Sequence, residues 1–286
     1  MTRKWWLLAL GISVGACTGS SVSCRAESGQ RLFERVDVAV GVQTSGILAA
    51  EINTDEHLDL IVVGGDRVTS LQGRGDGRFD TVGSVAAGEH AVDLAWADID
   101  EDGINDLAVA NHATNYVTLL FGVPDGGFEA RASSRIEVDV SPHPHAVRLR
   151  DIDNDGHMDL LVDDRDAEAI RVFRGAGDGG FGKHTSIPVG GDPYRGMLLI
   201  DVNDDGNIDL LTPNPDQVSI LIGDGFGGFA QDTVLSAGFS PFSVTAADFN
   251  GDGLTDVAAG SGEGIGALAV WYGTAAGGFR AAGNYE

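Results

Sequence analysis

Apolar residues along this chain come in short runs broken by glycine, aspartate and asparagine, and no segment sustains a helical period. Ala91-Val-Asp-Leu-Ala-Trp96 is one such run; Leu107-Ala-Val-Ala110 is apolar throughout, and Tyr116-Val-Thr-Leu-Leu-Phe121 follows after a short connection. Runs of this length, rich in β-branched residues and bounded by turn formers, predict strands. A glycine turn comes next, Gly122–Phe128, with counterparts at Gly73–Phe79, Gly175–Phe181, Gly223–Phe229 and Gly273–Phe279. Aspartate-glycine and glycine pairs supply the positive φ angles of a hairpin, and a fourth strand is expected to begin at each phenylalanine.

Between the first and second strand of each unit lies an acidic loop. The clearest is Asp151-Ile-Asp153-Asn-Asp155-Gly156-His-Met-Asp159, and its first position recurs at residues 51, 98, 151, 201 and 248, spaced by 47, 53, 50 and 47. A period near 50 residues with four strands per period predicts an all-β chain, a β-propeller of four-stranded antiparallel blades with five repeats visible. Residues 30–286 form that array, and a five-bladed monomer is expected. Closure is expected from Leu32–Val40 pairing with Ala267–Tyr272, with Phe279–Glu286 beginning a further strand; such pairing would remove exposed sheet edges.

The loops carry the chemistry. Positions one, three, five and nine present Asp98, Asp100, Asp102 and Asp106; Asp151, Asp153, Asp155 and Asp159; Asp201, Asn203, Asp205 and Asp209; and Asp248, Asn250, Asp252 and Asp256. Oxygen donors this dense suit Ca2+, which takes six to eight of them at about 2.3–2.6 Å, better than Mg2+, which prefers rigid octahedral sites. Carboxylates about 4 Å apart otherwise repel by roughly 4 kcal/mol at an effective dielectric near 20. The first copy, Glu51, Asn53, Asp55 and Asp59, is worn: glutamate opens it and Glu56 stands where the others have glycine.

Net charge is −25, and 20 of the 43 acids lie inside the five loops, so much of the charge faces inward to a cation. Only 18 Lys and Arg are present, with no basic run beyond the N-terminus, which argues against nucleic acid and anionic membrane surfaces as partners. Two glycine patterns, at Gly175–Gly180 and Gly223–Gly228, match a dinucleotide fingerprint in letters. Each runs into a phenylalanine and a strand, not a helix, so nucleotide binding is not expected.

The acidic loop followed by Asp-Leu, an aliphatic strand, Val-Thr-Leu-Leu-Phe-Gly and a Gly-Asp-Gly-Gly-Phe turn resembles the FG-GAP/VCBS repeats, over about residues 46–281. An EF-hand is a poorer match, since its twelfth position falls on Val109 or Val162 inside a strand. The resemblance implies structural calcium in blades of an integrin-like propeller, with ligands from the first, third, fifth and ninth loop positions.

The N-terminus reads separately. Arg3-Lys4 precedes about twelve apolar residues, too few to span a bilayer, and Val14-Gly15-Ala16-Cys17 resembles the lipobox of bacterial lipoprotein signal peptides. Residues 1–16 are expected to be a signal peptide, and 17–29 a lipidated Cys17 with a flexible tether. An ordinary signal peptide, with Cys17 and Cys24 removed or paired, is the alternative. In either case the protein is expected to be exported, as an outer-membrane or cell-surface lipoprotein or else as a periplasmic or secreted protein, touching membrane only through its lipid.

Strand topology puts acidic loops and glycine turns at one end. The connections at the other end vary between units, including Asn111–Asn115, Asp163–Asp166, Pro213–Asp216 and the entering segments Glu89-His90 and Pro142–His145. Rigid scaffolds place recognition on such loops, so a protein or glycan is the expected partner. His143 and His145, with His90 or His112, are candidate transition-metal ligands. Asp163, Asp164 and Glu263 are the acids that a polysaccharide hydrolase or lyase could use, though no catalytic motif accompanies them. A purely structural envelope protein is the third reading.

Overall fold

A computed structural model describes residues 37–41, 43–131, 134–138, 144–193, 196–262 and 266–285. The expected signal peptide, Cys17, Cys24, His143 and Glu263 lie outside them. No helix occurs among the described residues; the chain forms five antiparallel sheets in sequence, each meandering from its first strand to its fourth.

Sheet one comprises Gly46–Ala50, Asp59–Gly64, Arg67–Gly73 and Phe79–Ala86. Sheet two comprises Ala91–Ala97, Asp106–Asn111 and Tyr116–Gly122, with a fourth strand split into Phe128–Glu129 and Arg135–Glu137. Sheet three is Val147–Arg150, Asp159–Asp164, Ala169–Phe173 and Thr185–Pro188. Leu198–Ile200, Asp209–Asn214, Gln217–Gly223 and Phe229–Ser236 make sheet four. Sheet five is Pro241–Ala247, Asp256–Ser261, Leu268–Gly273 and Phe279–Tyr285.

Successive side chains on a strand point to opposite faces. Second strands carry apolar residues on both faces because both faces are covered: Ile61 and Val63 meet Leu107 and Val109, while Ala108 and Ala110 on the other face of sheet two meet Leu160 and Val162. Leu161 packs with Leu210 in the same way, and Leu211 with Val257. Each pair of neighbouring sheets thus shares one apolar layer, as in a β-propeller. Among the described residues no such cluster joins sheet five to sheet one.

Two expectations need correcting. Leu268–Gly273 bonds to Asp256–Ser261 on one side and to Phe279–Tyr285 on the other, so it has no edge for Leu32–Val40 to join. Phe279–Tyr285 is the fourth strand of sheet five, as expected of a strand beginning at that phenylalanine. Of the N-terminal segment, only Asp37–Val40 is described, and it is not in a strand.

The other correction concerns Phe181, which makes a single bridge to Gly175 before the ladder resumes at Thr185. In sheet two the fourth strand comes in two pieces, and between them Arg131 N–H donates to Ser134 Oγ at 2.6 Å and Ser134 N–H to Arg131 O at 3.1 Å. Sheets one, four and five absorb their twist in a one-residue bulge at the equivalent place, after Ser70, Ile220 and Val270.

Candidate functional site

All five acidic loops take one backbone path. The fourth position is left-handed at Thr54, Glu101, Asn154, Asp204 and Gly251, and so is the sixth, where Gly103, Gly156, Gly206 and Gly253 have φ between 86° and 95°. Glu56 adopts the same conformation at φ 67° without being glycine, and its N–H still reaches Glu51 Oε1 at 3.1 Å. The worn copy therefore keeps the fold of its loop.

The ninth-position aspartates are buried and each holds two backbone groups. Asp106 accepts Ile99 N–H at 2.9 Å through one oxygen and Gly122 N–H at 2.8 Å through the other; Asp209 does the same with Val202 at 2.9 Å and Gly223 at 2.8 Å. Asp59, Asp159 and Asp256 repeat the pattern. This carboxylate locks the loop to the glycine turn of its own sheet. Burial pushes the Asp106 carboxyl up to about 6, and moves Asp159 and Asp209 upward too.

Sheets two and three bring positions one, three and nine together. Ligand oxygens of Asp98, Asp100 and Asp106 lie within 4.8 Å of one another, as do those of Asp151, Asp153 and Asp159. Asp98 Oδ1, Asp100 Oδ1 and Asp151 Oδ1 are buried and accept no hydrogen bond. Bare, converging carboxylate oxygens are costly without a cation, and an all-oxygen donor set fits calcium. The fifth position stands apart: Asp102 and Asp155 are exposed, and each accepts the N–H two residues on, at 2.8 and 2.9 Å.

Sheets four and five are closed by hydrogen bonds instead. Asp201 Oδ1 and Asp248 Oδ1 accept loop N–H groups, and the third-position Asn203 and Asn250 donate their amides to Asp205 and Asp252 at 3.0 and 2.9 Å. Asn53 in sheet one donates to Asp55 likewise, at 3.2 Å.

Two arginines enter the loops, unsignalled by the repeat. Arg131 pairs with Asp100 while its guanidinium lies 4.0 Å over the Phe121 ring. Arg174 Nη1 contacts Asp153 Oδ2 at 2.8 Å and Asp159 Oδ2 at 3.0 Å.

The loops of sheets one, two and three also meet the glycine turn of the next sheet. Gly179 N–H donates to Ile99 O at 2.9 Å, and Asn154 Nδ2 donates to Gly225 O at 3.1 Å. A Cβ at Gly179, whose φ is +79°, would fall 2.7 Å from the Phe121 ring, so this close approach requires glycine. The second-position residues Ile52, Ile99, Ile152 and Val202 are 2–9% exposed, whereas Phe249 is 47% exposed.

At the opposite end the variable segments are tied to one another. His112 N–H donates to His90 O at 2.8 Å, and Arg165 forms a two-pronged pair with Asp192 at 2.7 and 2.6 Å. Arg148 joins three sheets, donating to Asp93 Oδ2 at 2.8 Å and to Met197 O at 2.9 Å. Asp164 is buried against Arg171, at 2.7 Å. Asp163 is buried too, with one oxygen accepting the N–H groups of His145 and Ala146, both at 2.7 Å.

A scan against family models matches an FG-GAP-like repeat at residues 52–109, 98–162 and 201–259. No curated protein sequence matches this one. Solved structures similar to this chain include a functionally unknown protein from Desulfotomaculum acetoxidans, at 14% identity and TM-score 0.61, covering 86% of this chain and 71% of that one. An Agrocybe aegerita lectin that recognises non-reducing terminal N-acetylglucosamine aligns at 18% identity and TM-score 0.58, over 84% of this chain and 66% of the lectin. A biofilm matrix protein of V. cholerae aligns at 15% identity and TM-score 0.51, over 80% of this chain and 38% of that protein. These likenesses show a shared fold, and this chain spans less than two thirds of the lectin and of the matrix protein. Repeating sheets, acidic loops locked to glycine turns and a model match over more than half the chain lead to one conclusion: the chain belongs to the FG-GAP-like repeat family.

Proposed function

We propose that this is an exported β-propeller whose acidic loops hold structural calcium and whose opposite end binds a glycan or a protein. The observation that carries the reading is the set of buried carboxylate oxygens in sheets two and three that accept no hydrogen bond. Asp98, Asp100 and Asp106 would hold one ion, and Asp151, Asp153 and Asp159 another. Calcium there supplies charge neutralisation, stiffening the seam between a loop and the turns packed on it. Sheets one, four and five, already closed by their own hydrogen bonds, bind more weakly on this reading.

Export rests on the N-terminal apolar run and on the lipobox-like Cys17. Recognition at the opposite end is favoured by its variable, well-anchored segments and by the likeness in fold to a glycan-binding lectin. The deciding experiment is thermal unfolding in millimolar calcium and in excess chelator, with bound metal counted by elemental analysis. A bound ion at about one hundred times its Kd adds roughly 2.7 kcal/mol. The expected result is a wide separation of the curves with at least two ions bound; superimposed curves and no bound calcium would refute it. A glycan array that includes terminal N-acetylglucosamine tests the binding role, and blank arrays together with an empty pull-down would count against it.

A further inference from the structure

Sheet three departs from the repeat at one buried position. Four residues after the ninth-position aspartate, the other sheets carry Val63, Ala110, Pro213 and Gly260; sheet three carries Asp163, which is 1% exposed. A carboxylate at that depth is costly unless something compensates it. Its Oδ1 is satisfied by the two N–H groups already described, but its Oδ2 accepts no hydrogen bond. That oxygen stands 3.6 Å from His145 Nδ1. The separation is longer than an N–H···O hydrogen bond, yet two atoms bound to one ion at about 2.0–2.1 Å lie roughly 2.9–3.6 Å apart.

Two more imidazoles gather at the same place. The His112 ring lies 4.6 Å from the His145 ring, centroid to centroid and edge-on at 68°, and His90 lies 6.3 Å from His112. Imidazoles that share one four-coordinate ion hold their centroids roughly 4.5–5.5 Å apart, so His112 and His145 already stand at that spacing and the His90 ring must swing inward. The backbones bearing these rings are fixed in advance. His112 N–H donates to His90 O at 2.8 Å, Ala113 N–H to Glu89 O at 3.3 Å, and the Asn111 side chain accepts Gly88 N–H at 2.9 Å.

We propose that His90, His112, His145 and Asp163 form a binding site for a transition-metal ion of the zinc class, between sheets two and three and at the end away from the acidic loops. Three imidazoles and one carboxylate suit zinc, copper or nickel and are a poor set for calcium. The site is not closed as it stands, because no three donor atoms here lie within 4.8 Å of one another as they do in the acidic loops. Closure falls to the exposed His90 and half-buried His112 rings, which turn about their side-chain torsions while buried His145 and Asp163 stay fixed. The site is independent of the calcium loops and of any reading of them.

The test is a Co2+ titration of the full chain in calcium-saturated buffer, read by visible absorption. One equivalent should give the intense bands of a four-coordinate nitrogen and oxygen site, and one equivalent of Zn2+ should bleach them. His112→Ala and His90→Ala should each weaken cobalt binding at least ~10-fold, with thermal midpoints in calcium unchanged to show that both variants fold. Absence of visible bands would overturn the proposal. So would bands that survive both substitutions, or thiolate charge-transfer bands that place the ion on Cys17 or Cys24.

Discussion

Arg174 lies 2.8 Å from Asp153, inside the acidic loop of its own sheet, and so sets a guanidinium among the carboxylates that would hold an ion. It also reaches the backbone of the next sheet's glycine turn, donating to Phe226 O at 3.3 Å. In the absence of calcium this arginine offsets part of the loop's charge; with calcium present it competes. Both partners are partly exposed, so the pair contributes no more than about 1 kcal/mol. Arg174→Gln should therefore tighten calcium binding about two- to fivefold while lowering stability in chelator. Isothermal titration decides it, and an affinity that does not rise would show that Arg174 leaves the loop at no cost.

Ninth and first positions should separate in mutagenesis. Asp209→Ala strands the N–H groups of Val202 and Gly223 and should cost about 2–5 kcal/mol in calcium and in chelator alike. Asp151→Asn should cost stability in calcium only, because Asp151 Oδ1 has no donor to lose. Denaturant titrations under both conditions distinguish the two roles; equal behaviour of the variants would contradict this division.

Acid should act oppositely in the two conditions. Burial raises the Asp106 carboxyl to about 6, while the Gly122 and Ile99 N–H groups pull it down less strongly. The folded protein thus holds this proton more tightly than the unfolded chain, whose aspartates titrate near about 3.9. In chelator, this group's contribution to stability grows as pH falls from about 7 through 6 and levels off below about 4. Calcium requires the ionised form, so its stabilisation shrinks over the same window. Melting temperatures with and without calcium should converge between about pH 7.5 and 5; a constant gap would show that these carboxyls do not bind the ion.

Glu56 carries the sixth loop position in a left-handed conformation that costs a side-chain-bearing residue roughly 1–2 kcal/mol. Glu56→Gly relieves that strain but frees the unfolded chain, leaving a gain of about 0.5–1 kcal/mol. A lower denaturation midpoint for the variant would mean that the Glu56 side chain itself supports the loop.

The second loop position should be sensitive only where the next sheet covers it. Ile152 is 2% exposed, so Ile152→Ala should cost about 2–5 kcal/mol. Phe249→Ala, at 47% exposure, should cost less than about 1 kcal/mol. Comparable losses would place an unseen partner over Phe249.

Much of this architecture is legible in the residues. Asp-x-Asp/Asn-x-Asp-Gly repeated in register marks the loops, and the apolar stretch after each ninth aspartate marks a strand covered on both faces. The irregular fourth strands leave a trace there too: they occur in the two units whose spacings of 53 and 50 exceed 47. What pattern could not supply was long-range. The ninth aspartate reads as a ligand, yet its two oxygens hold backbone groups at separations such as 7 and 16 residues for Asp106. Arg131 and Arg174 lie outside the loop motif and reach it only through the fold, and Asp163 looks like one more surface acid until its burial is seen.

The packing of the acidic loops of sheets one to three against the following sheet's turn has a consequence for how the molecule is made. Ribosomes deliver the N-terminal sheets first. Asn154 meets its partner Gly225 only after 71 further residues have emerged. A nascent chain therefore carries such a loop unroofed until the sheet after it has emerged. Assembly acquires a direction from this, and at every stage the unfinished end presents an acidic loop beside the apolar sheet face that the next unit will cover.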